Sequence, residues 1–254
     1  MNTNKHKPQI KAIILAAGVG SRIRPLTDNC HKSLLKIEDK PILEMMINNI
    51  LDCGITEVIF VLGYLQEQIK AFVSNKFPYL NVAYLVNENY AATNTGYSLM
   101  LAEKHVGNSS FIKFDADVVF DKNILKNLIE CDYENSLCID KNIQLNTEEI
   151  KVIIGTNNLV VKANKSVHPA DAIGESIGIE KISNATAIKL FAELRLMMED
   201  KSKHQEYYEA AYEQLIEQQV PFYALDITGL KWIEIDTLED FNEATNIFGE
   251  ITEK

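Results

Sequence analysis

The feature that most restricts how this chain can fold is a series of short apolar runs spaced by amphipathic stretches over its first half. Lys11–Ala17 (KAIILAA) is apolar from Ala12 onward, and Glu57–Leu62 (EVIFVL), Val82–Val86 and Phe111–Phe114 are similar runs. Runs this short and this continuous suit strands buried on both faces. Between them, Pro41–Cys53 (closed by Gly54), Gln66–Val73, Thr95–Glu103 and Asp121–Cys131 read as helices. Strands alternating with helices in this way predict an α/β fold, with a parallel sheet covered on both faces.

From about residue 135 the pattern changes. Short β-like pieces at Ser136–Ile139, Lys151–Gly155 and Leu159–Lys162 are joined by Asn and Gly turns. Helices are expected from Ala185 to about Asp200 and over Gln205–Gln218, then strands at Phe222–Asp226 and Lys231–Ile235, and a terminal helix from Glu239 to about Ile247. No repeat, low-complexity segment or linker divides the chain, so a single domain is expected over residues 1–254. That is enough chain to bury a sizeable core.

Composition narrows the class. With 46% apolar and 24% charged residues, a disordered or fibrous chain is excluded. A net charge of −11 repels phosphate backbones over the surface as a whole, so no nucleic-acid partner is expected. A local basic pocket or a metal can still hold a small phosphate-bearing molecule. Cys30, Cys53, Cys131 and Cys138 include no C-x-x-C pair, and His31 forms no ligand set with His6, His105, His168 and His204. Neither a zinc site nor a disulfide framework is expected. No apolar stretch approaches the roughly 20 residues that cross a bilayer, and the N-terminal MNTNKHKPQ lacks the apolar core of a secretory signal. No membrane partner and a cytoplasmic location are the expectations.

The sharpest local motif follows the first strand: Leu15-Ala16-Ala17-Gly18-Val19-Gly20-Ser21-Arg22-Ile23-Arg24-Pro25-Leu26-Thr27. Small residues at a strand's carboxyl end let the backbone approach a ligand, and successive amide N–H groups there can cradle an anion. Ile23 stands where a dinucleotide fingerprint needs its third glycine, and no Gly-Lys-Ser/Thr follows, so this is neither a Rossmann dinucleotide loop nor a P-loop. Arg22 comes just after the glycines, and Lys32 lies further on. Two fixed cations beside such a loop suit a triphosphate that is gripped while one phosphorus is attacked.

Acids lie at two further strand ends. Phe114-Asp115-Ala116-Asp117 closes one apolar run, and Trp232-Ile233-Glu234-Ile235-Asp236 closes a late one. Alternation along the late strand puts Trp232, Glu234 and Asp236 on one face. Carboxylates are what Mg²⁺ prefers, together with substrate phosphates. Helix capping is the commoner use of an Asp after a strand, and Asp121 reads that way.

Together these strings resemble the nucleotidyltransferases that activate sugar phosphates and related phosphates with NTPs. The resemblance rests on L-A-A-G-x-G-x-R-x-x-P-L-T, then Lys32-Ser33-Leu34 and Lys40-Pro41-Ile42-Leu43, and covers essentially the whole chain. It departs at His31, where the family usually has Pro. It implies a Rossmann-like three-layer α/β/α fold with a mostly parallel mixed sheet. About residues 10–135 would be a nucleotide-binding half and about 136–254 an acceptor-binding half. It also implies Mg²⁺ on Asp117 and Asp236 with Asp115 in support, and a nucleotide held by Leu15, Ala16, Ala17, Gly18 and Gly20. Arg22 would hold the β and γ phosphates, and Lys32 would bridge the α-phosphate and the attacking phosphate.

Asn89-Tyr90-Ala91-Ala92-Thr93-Asn94-Thr95-Gly96-Tyr97-Ser98-Leu99 resembles the choline-phosphate cytidylyltransferase branch, as do Gly63-Tyr64, Gly174-Glu175-Ser176-Ile177-Gly178-Ile179 and the Trp232–Asp236 string. That branch implies CTP, with Asn94 and Thr95 near the pyrimidine. The acceptor would be of phosphocholine, phosphoethanolamine or 2-aminoethylphosphonate type. A cationic head group wants aromatic faces and acids, for which Tyr97, Trp232, Asp171, Glu175 and Glu234 are candidates. Two other functions stay open: a sugar-1-phosphate uridylyl- or thymidylyltransferase, and a non-catalytic nucleotide-binding regulatory subunit. Retention of Arg22, Lys32, Asp117 and Asp236 together argues against the second. A homodimer face along Tyr207, Ala211 and Leu215 is also open, with core packing the commoner use of such spacing.

Overall fold

A computed structural model describes residues 10–249. The N-terminal stretch read above for a secretory signal lies outside the described residues. The first half runs β1 (Ile10–Ala16), a ribbon of β2 (Lys36–Ile37) and β3 (Lys40–Pro41), α1 (Ile42–Asp52), β4 (Glu57–Leu62), α2 (Gln66–Lys76), β5 (Asn81–Val86), α3 (Thr95–Leu101), α4 (Glu103–Val106), β6 (Ser110–Asp115), β7 (Val118–Phe120) and α5 (Lys122–Glu130). The second half has β8 (Ser136–Asp140), β9 (Lys151–Ile154), β10 (Val160–Asn164), β11 (Gly174–Ile182), α6 (Asn184–Glu199), α7 (Glu209–Glu217), β12 (Tyr223–Asp226), β13 (Trp232–Glu234) and α8 (Leu238–Phe248).

One mixed sheet of nine strands spans both halves, in the order β10-β9-β11-β6-β1-β4-β5, with β8 and β12 branching from β11. Strands β6, β1, β4 and β5 are parallel. Strand β11 runs antiparallel beside β6 and joins the second half to the first. Along β1, Ile13 and Leu15 pack in one core with α3, α6 and α7, while Ala12, Ile14 and Ala16 pack in another with α1, α2 and α5. Burial on both faces is why these strands read as continuous apolar runs. The fold is the three-layer α/β/α arrangement expected from the sequence. Among the described residues no helix is long and apolar enough to cross a membrane.

Some elements differ from the sequence expectation. The expected helix over Thr95–Glu103 divides at Ala102 into α3 and α4, and the one over Gln205–Gln218 begins only at Glu209. The backbone ahead of α7 is used otherwise: the His204 carbonyl accepts from Asn94 N–H (2.8 Å) and that of Glu206 from Gly96 N–H (3.3 Å). Strand β11 escaped the sequence reading, although all nine of its residues are buried. Glu175, Glu180 and Lys181 break its apolar run. Glu180 is tolerated because its register partner on β6 is Lys113, whose Nζ lies 2.9 Å from Glu180 Oε2.

Candidate active site

The parallel strands β1 and β6 end at the same edge of the sheet, in a register that sets Leu15 beside Asp115. The loop leaving β1 and the turn leaving β6 therefore meet, and Ala116 N–H donates to the Leu15 carbonyl at 3.1 Å. The β7–β13 pair brings the late segment to the same corner. Glu234 is opposite Val118, and Ile235 N–H donates to the Asp117 carbonyl at 3.0 Å. Just beyond, Thr237 opens α8 with a capping box. The Asp240 carboxylate accepts from Asp236 N–H at 3.0 Å and from Thr237 N–H at 2.7 Å, which fixes the backbone that carries Asp236.

The cations come from the other side. Lys32 Nζ stands 2.7 Å from Asp117 Oδ2 and 2.8 Å from Asp236 Oδ1, and Arg22 Nη2 is 2.6 Å from Asp236 Oδ2. Gly20, at φ +62°, gives the lysine stem room, since a Cβ there would lie 3.2 Å from Lys32 Cβ and Cδ. Desolvation works against the Lys32 charge, but Asp117 and Asp236 hold its ammonium well above the usual lysine range. Desolvation likewise opposes ionisation of Asp117, yet Lys32 holds that carboxyl below its ordinary value. Asp117 Oδ1 is buried without a hydrogen-bond partner. Glu234 completes an oxygen cluster, one carboxylate atom each from Asp117, Glu234 and Asp236 lying within 4.8 Å of one another. Three hard oxygen donors, with one buried oxygen unengaged, fit a divalent cation such as Mg²⁺.

His31 sets the lysine's turn. Its Nε2 is 3.2 Å from the Ala16 carbonyl, which can only accept, so Nε2 carries the proton. Nδ1 is then the acceptor for Ser33 N–H (3.2 Å) and the Ser33 hydroxyl (2.9 Å). The ring thus ties the turn over residues 32–34 to the end of β1. Burial pushes the imidazole down to about 4, so it stays neutral.

A cleft of about 780 Å³ opens over this corner, lined by Leu15, Ala17, Gly18, Gly20, Arg22 and Lys32 on one side and by Glu175, Trp232, Glu234 and Asp236 on the other. Asp115, Asp117, Asn94 and Thr95 also line it. Ala16 instead faces a small cavity behind the loop, with His31 and Ser33. Tyr97 and Asp171, expected near an acceptor, do not line the cleft. Tyr97 packs against the α3–α6–α7 core, with its ring 5.3 Å from that of His204, and Asp171 ends an exposed 3-10 turn. Asn94 and Thr95 have polar groups already engaged. Asn94 Oδ1 accepts from Thr95 N–H (2.8 Å) and Nδ2 donates to the Gln205 carbonyl (3.2 Å), while Thr95 Oγ1 accepts from Tyr208 N–H (3.3 Å).

Several lining residues had escaped the sequence reading, notably Asn87, Asp140, Glu149 and Lys165, while Tyr90 and Ser98 belong to the Asn89–Leu99 string but were given no role of their own. Asn87 follows β5 directly and Asp140 ends β8, so a polar residue at a strand's carboxyl end was the available signal. Trp232 Nε1–H donates to Asp140 Oδ2 at 2.8 Å. Glu175 is buried among acids. Desolvation, then Glu149 and Asp140, push its carboxyl up to about 8.

Asp115 is anchored from below. Its Oδ2 lies 2.8 Å from Lys113 Nζ and 3.1 Å from the Tyr208 hydroxyl. The wholly buried Lys113 also contacts Tyr208, both its hydroxyl and its ring face. Above Asp115 passes Gly178, at φ +74°, where a Cβ would meet Asp115 Oδ2 at 2.5 Å. The register of β11 against β8 shifts between Ser176 and Glu180, which places a bulge at this point.

The sequence model of the nucleotidyl transferase family matches residues 11–147, more than half of the chain. The chain belongs to that family. This nucleotidyl transferase is 40% identical to a choline-phosphate cytidylyltransferase of Streptococcus pneumoniae over 118 residues, 46% of this chain and 49% of that one. It therefore spans about half the length of that curated relative. A CTP:phosphoglutamine cytidylyltransferase of Campylobacter jejuni is 26% identical over 250 residues, 91% of this chain and 97% of the other. The solved structure of CTP:phosphocholine cytidylyltransferase from Streptococcus pneumoniae superposes with a TM-score of 0.80 at 26% identity, covering 94% of this chain and 99% of that one.

Proposed function

We propose that this nucleotidyl transferase is a cytidylyltransferase, moving CMP from CTP to the phosphate of a small acceptor with a cationic group and releasing pyrophosphate. The single observation that carries this reading is the convergence of Arg22 and Lys32 on Asp117 and Asp236 at the carboxyl ends of β1 and β6. Relatives with two different phosphorylated acceptors share the word cytidylyltransferase in their names, which supports cytidylyl transfer as the constant and the acceptor as the variable.

In this reading residues 10–135 and 136–254 are the nucleotide-binding and acceptor-binding halves of one domain. Backbone N–H groups from Leu15 to Gly20 face the phosphates, and Arg22 takes the β and γ phosphates that leave. Lys32 bridges the α-phosphate and the incoming phosphate, holding two anions that repel each other. The acceptor oxygen is already anionic, so no side chain has to remove a proton, and in-line attack at the α-phosphorus needs positioning above all. A divalent cation, Mg²⁺ in this reading, supplies charge neutralisation when bound, and Asp117 and Asp236, with Glu234 beside them, would hold it. Asp115, anchored by Lys113 and Tyr208, supports the turn that presents Asp117.

The other end of the cleft favours a positively charged acceptor. Asp140, Glu149 and Glu175 crowd there beside the Trp232 indole, and a cation would favour the ionised form of Glu175 that burial and the neighbouring acids oppose. Asn94 and Thr95, together with Asn87 and Ser98, would bound the base.

The test is incubation with CTP, Mg²⁺ and a panel of phosphoamines, phosphonates and sugar phosphates. The expected result is a CDP-linked product by mass, with matching pyrophosphate, abolished by a chelator. Absence of metal-dependent pyrophosphate release with every NTP would overturn the proposal. Turnover of UTP or dTTP on a sugar phosphate would instead place the protein with the sugar-activating enzymes.

A further inference from the structure

We infer that Lys32 is an internal counterion that holds the cation site until a nucleotide arrives, so that a divalent metal binds only as the lysine leaves. This rests on the proposed cation site. Of the four carboxylate oxygens of Asp117 and Asp236, three are claimed by side-chain cations. Lys32 holds Asp117 Oδ2 at 2.7 Å and Asp236 Oδ1 at 2.8 Å, and Arg22 holds Asp236 Oδ2 at 2.6 Å. Only Asp117 Oδ1 has no partner. These are charge-assisted contacts at hydrogen-bond distance, on the same two residues that form the oxygen cluster with Glu234.

An ammonium and a divalent ion cannot both occupy this spot. The Lys32 side chain is only 11% exposed, so water screens little of the repulsion between them. A metal arriving alone must therefore break two lysine contacts with nothing to offer the displaced charge. A metal arriving with a triphosphate brings anionic oxygens that Lys32 and Arg22 can take in exchange. The two cations then move from carboxylates to phosphates as the metal takes the carboxylates, and every charge stays paired. The lysine stem can make this move because Gly20 leaves open backbone against its Cβ and Cδ. Metal and nucleotide binding are coupled in consequence, each strengthening the other.

The test uses the whole protein and Mn²⁺ alone, with no nucleotide or acceptor, counting free Mn²⁺ by electron paramagnetic resonance. Lys32→Gln is expected to bind Mn²⁺ at least about tenfold more tightly than the unaltered protein. Lys32→Arg, which keeps the charge, should stay within about threefold of it. Equal or weaker binding by Lys32→Gln, or no binding by any form, overturns the inference. Because Lys32→Gln leaves two facing carboxylates and could unfold, the unaltered protein supplies a second measurement. Acetylation of Lys32, followed by mass spectrometry, should be slow in the absence of metal and faster at saturating Mn²⁺. A Lys32 rate that Mn²⁺ does not change overturns the inference as well. Failure of the cytidylyl reading is separate, since it appears in the pyrophosphate assay and leaves the Mn²⁺ result standing.

Discussion

Lys32 Nζ lies 2.8 Å from Asp236 Oδ1, although 204 residues separate them in the chain. The contact spans the whole fold: one partner leaves the first strand, and the other follows the last. Removing either side strips the other of one of its two close counter-charges, leaving Lys32 with Asp117 alone or Asp236 with Arg22 alone. The double variant Lys32→Gln/Asp236→Asn should therefore lose less stability than the two single losses combined, with a coupling of about 0.5–3 kcal/mol in urea unfolding. Additive losses would mean that the pair does not interact.

Turnover should respond differently from stability. Asp117→Asn and Asp236→Asn would each remove one charged ligand from the proposed cation site, and a drop of about 10²–10³ in CMP transfer is expected from either. Near-normal rates for both at saturating Mg²⁺ would dismiss their role.

Gly178→Ala tests the β11 bulge. The φ of +74° strains any side chain, and the new methyl would meet Asp115 Oδ2 at 2.5 Å. A stability loss of about 1–3 kcal/mol is expected, with reduced transfer because Asp115 is displaced. An Ala variant as stable and as active as the parent would show that the strand relaxes freely.

Glu209 gives a pH signature. One of its carboxylate oxygens is buried without a partner. Desolvation, offset by Lys113 and reinforced by Glu180 and Asp115, raises its carboxyl from 4.5 to about 8. The folded form thus keeps a proton that the unfolded chain releases. Stability from this group is complete below 4.5 and lost as pH rises through about 8. Glu209→Gln should be near neutral at pH about 5 and stabilising by about 1–3 kcal/mol at pH about 9. A melting-temperature difference that does not grow between those two pH values would contradict this.

His31 carries the opposite sign. Its imidazole is lowered from 6.5 to about 4, so its contribution is full above 6.5 and fades as pH falls towards 4. His31→Ala should cost about 1–2 kcal/mol at neutral pH by removing the cap of the lysine turn. It should also lower kcat more than it raises the KM for CTP, because it loosens Lys32.

At the proposed acceptor end, Trp232→Phe keeps a ring but loses the 2.8 Å bond to Asp140. Trp232→Phe and Glu175→Gln should raise the KM for the acceptor by about tenfold and leave that for CTP unchanged. A rise in the CTP KM instead would place these residues on the nucleotide side.

What could be read in chain order was the chemistry carried by neighbouring residues. The apolar run of β1, the small residues from Ala16 to Gly20, and the acids ending β6 and following β13 are local strings whose composition reports both faces of burial or closeness to a ligand. Their parallel strands share one edge, so the polar ends come together. Strand β11 was hidden, because Glu180 and Lys181 break its periodicity and are admitted only by partners elsewhere, Lys113 beside one and the Cys131 carbonyl, 2.9 Å from Lys181 Nζ, beside the other. Tyr97 and Asp171 sit in plausible strings yet fall outside the cleft, since which way a helix or turn faces depends on what packs behind it. The pairing of Lys32 with Asp117 and Asp236, and the use of Asp140, exist only in the folded chain. Long-range electrostatic contacts are set by strand register and tertiary packing, and no periodicity within one segment encodes them.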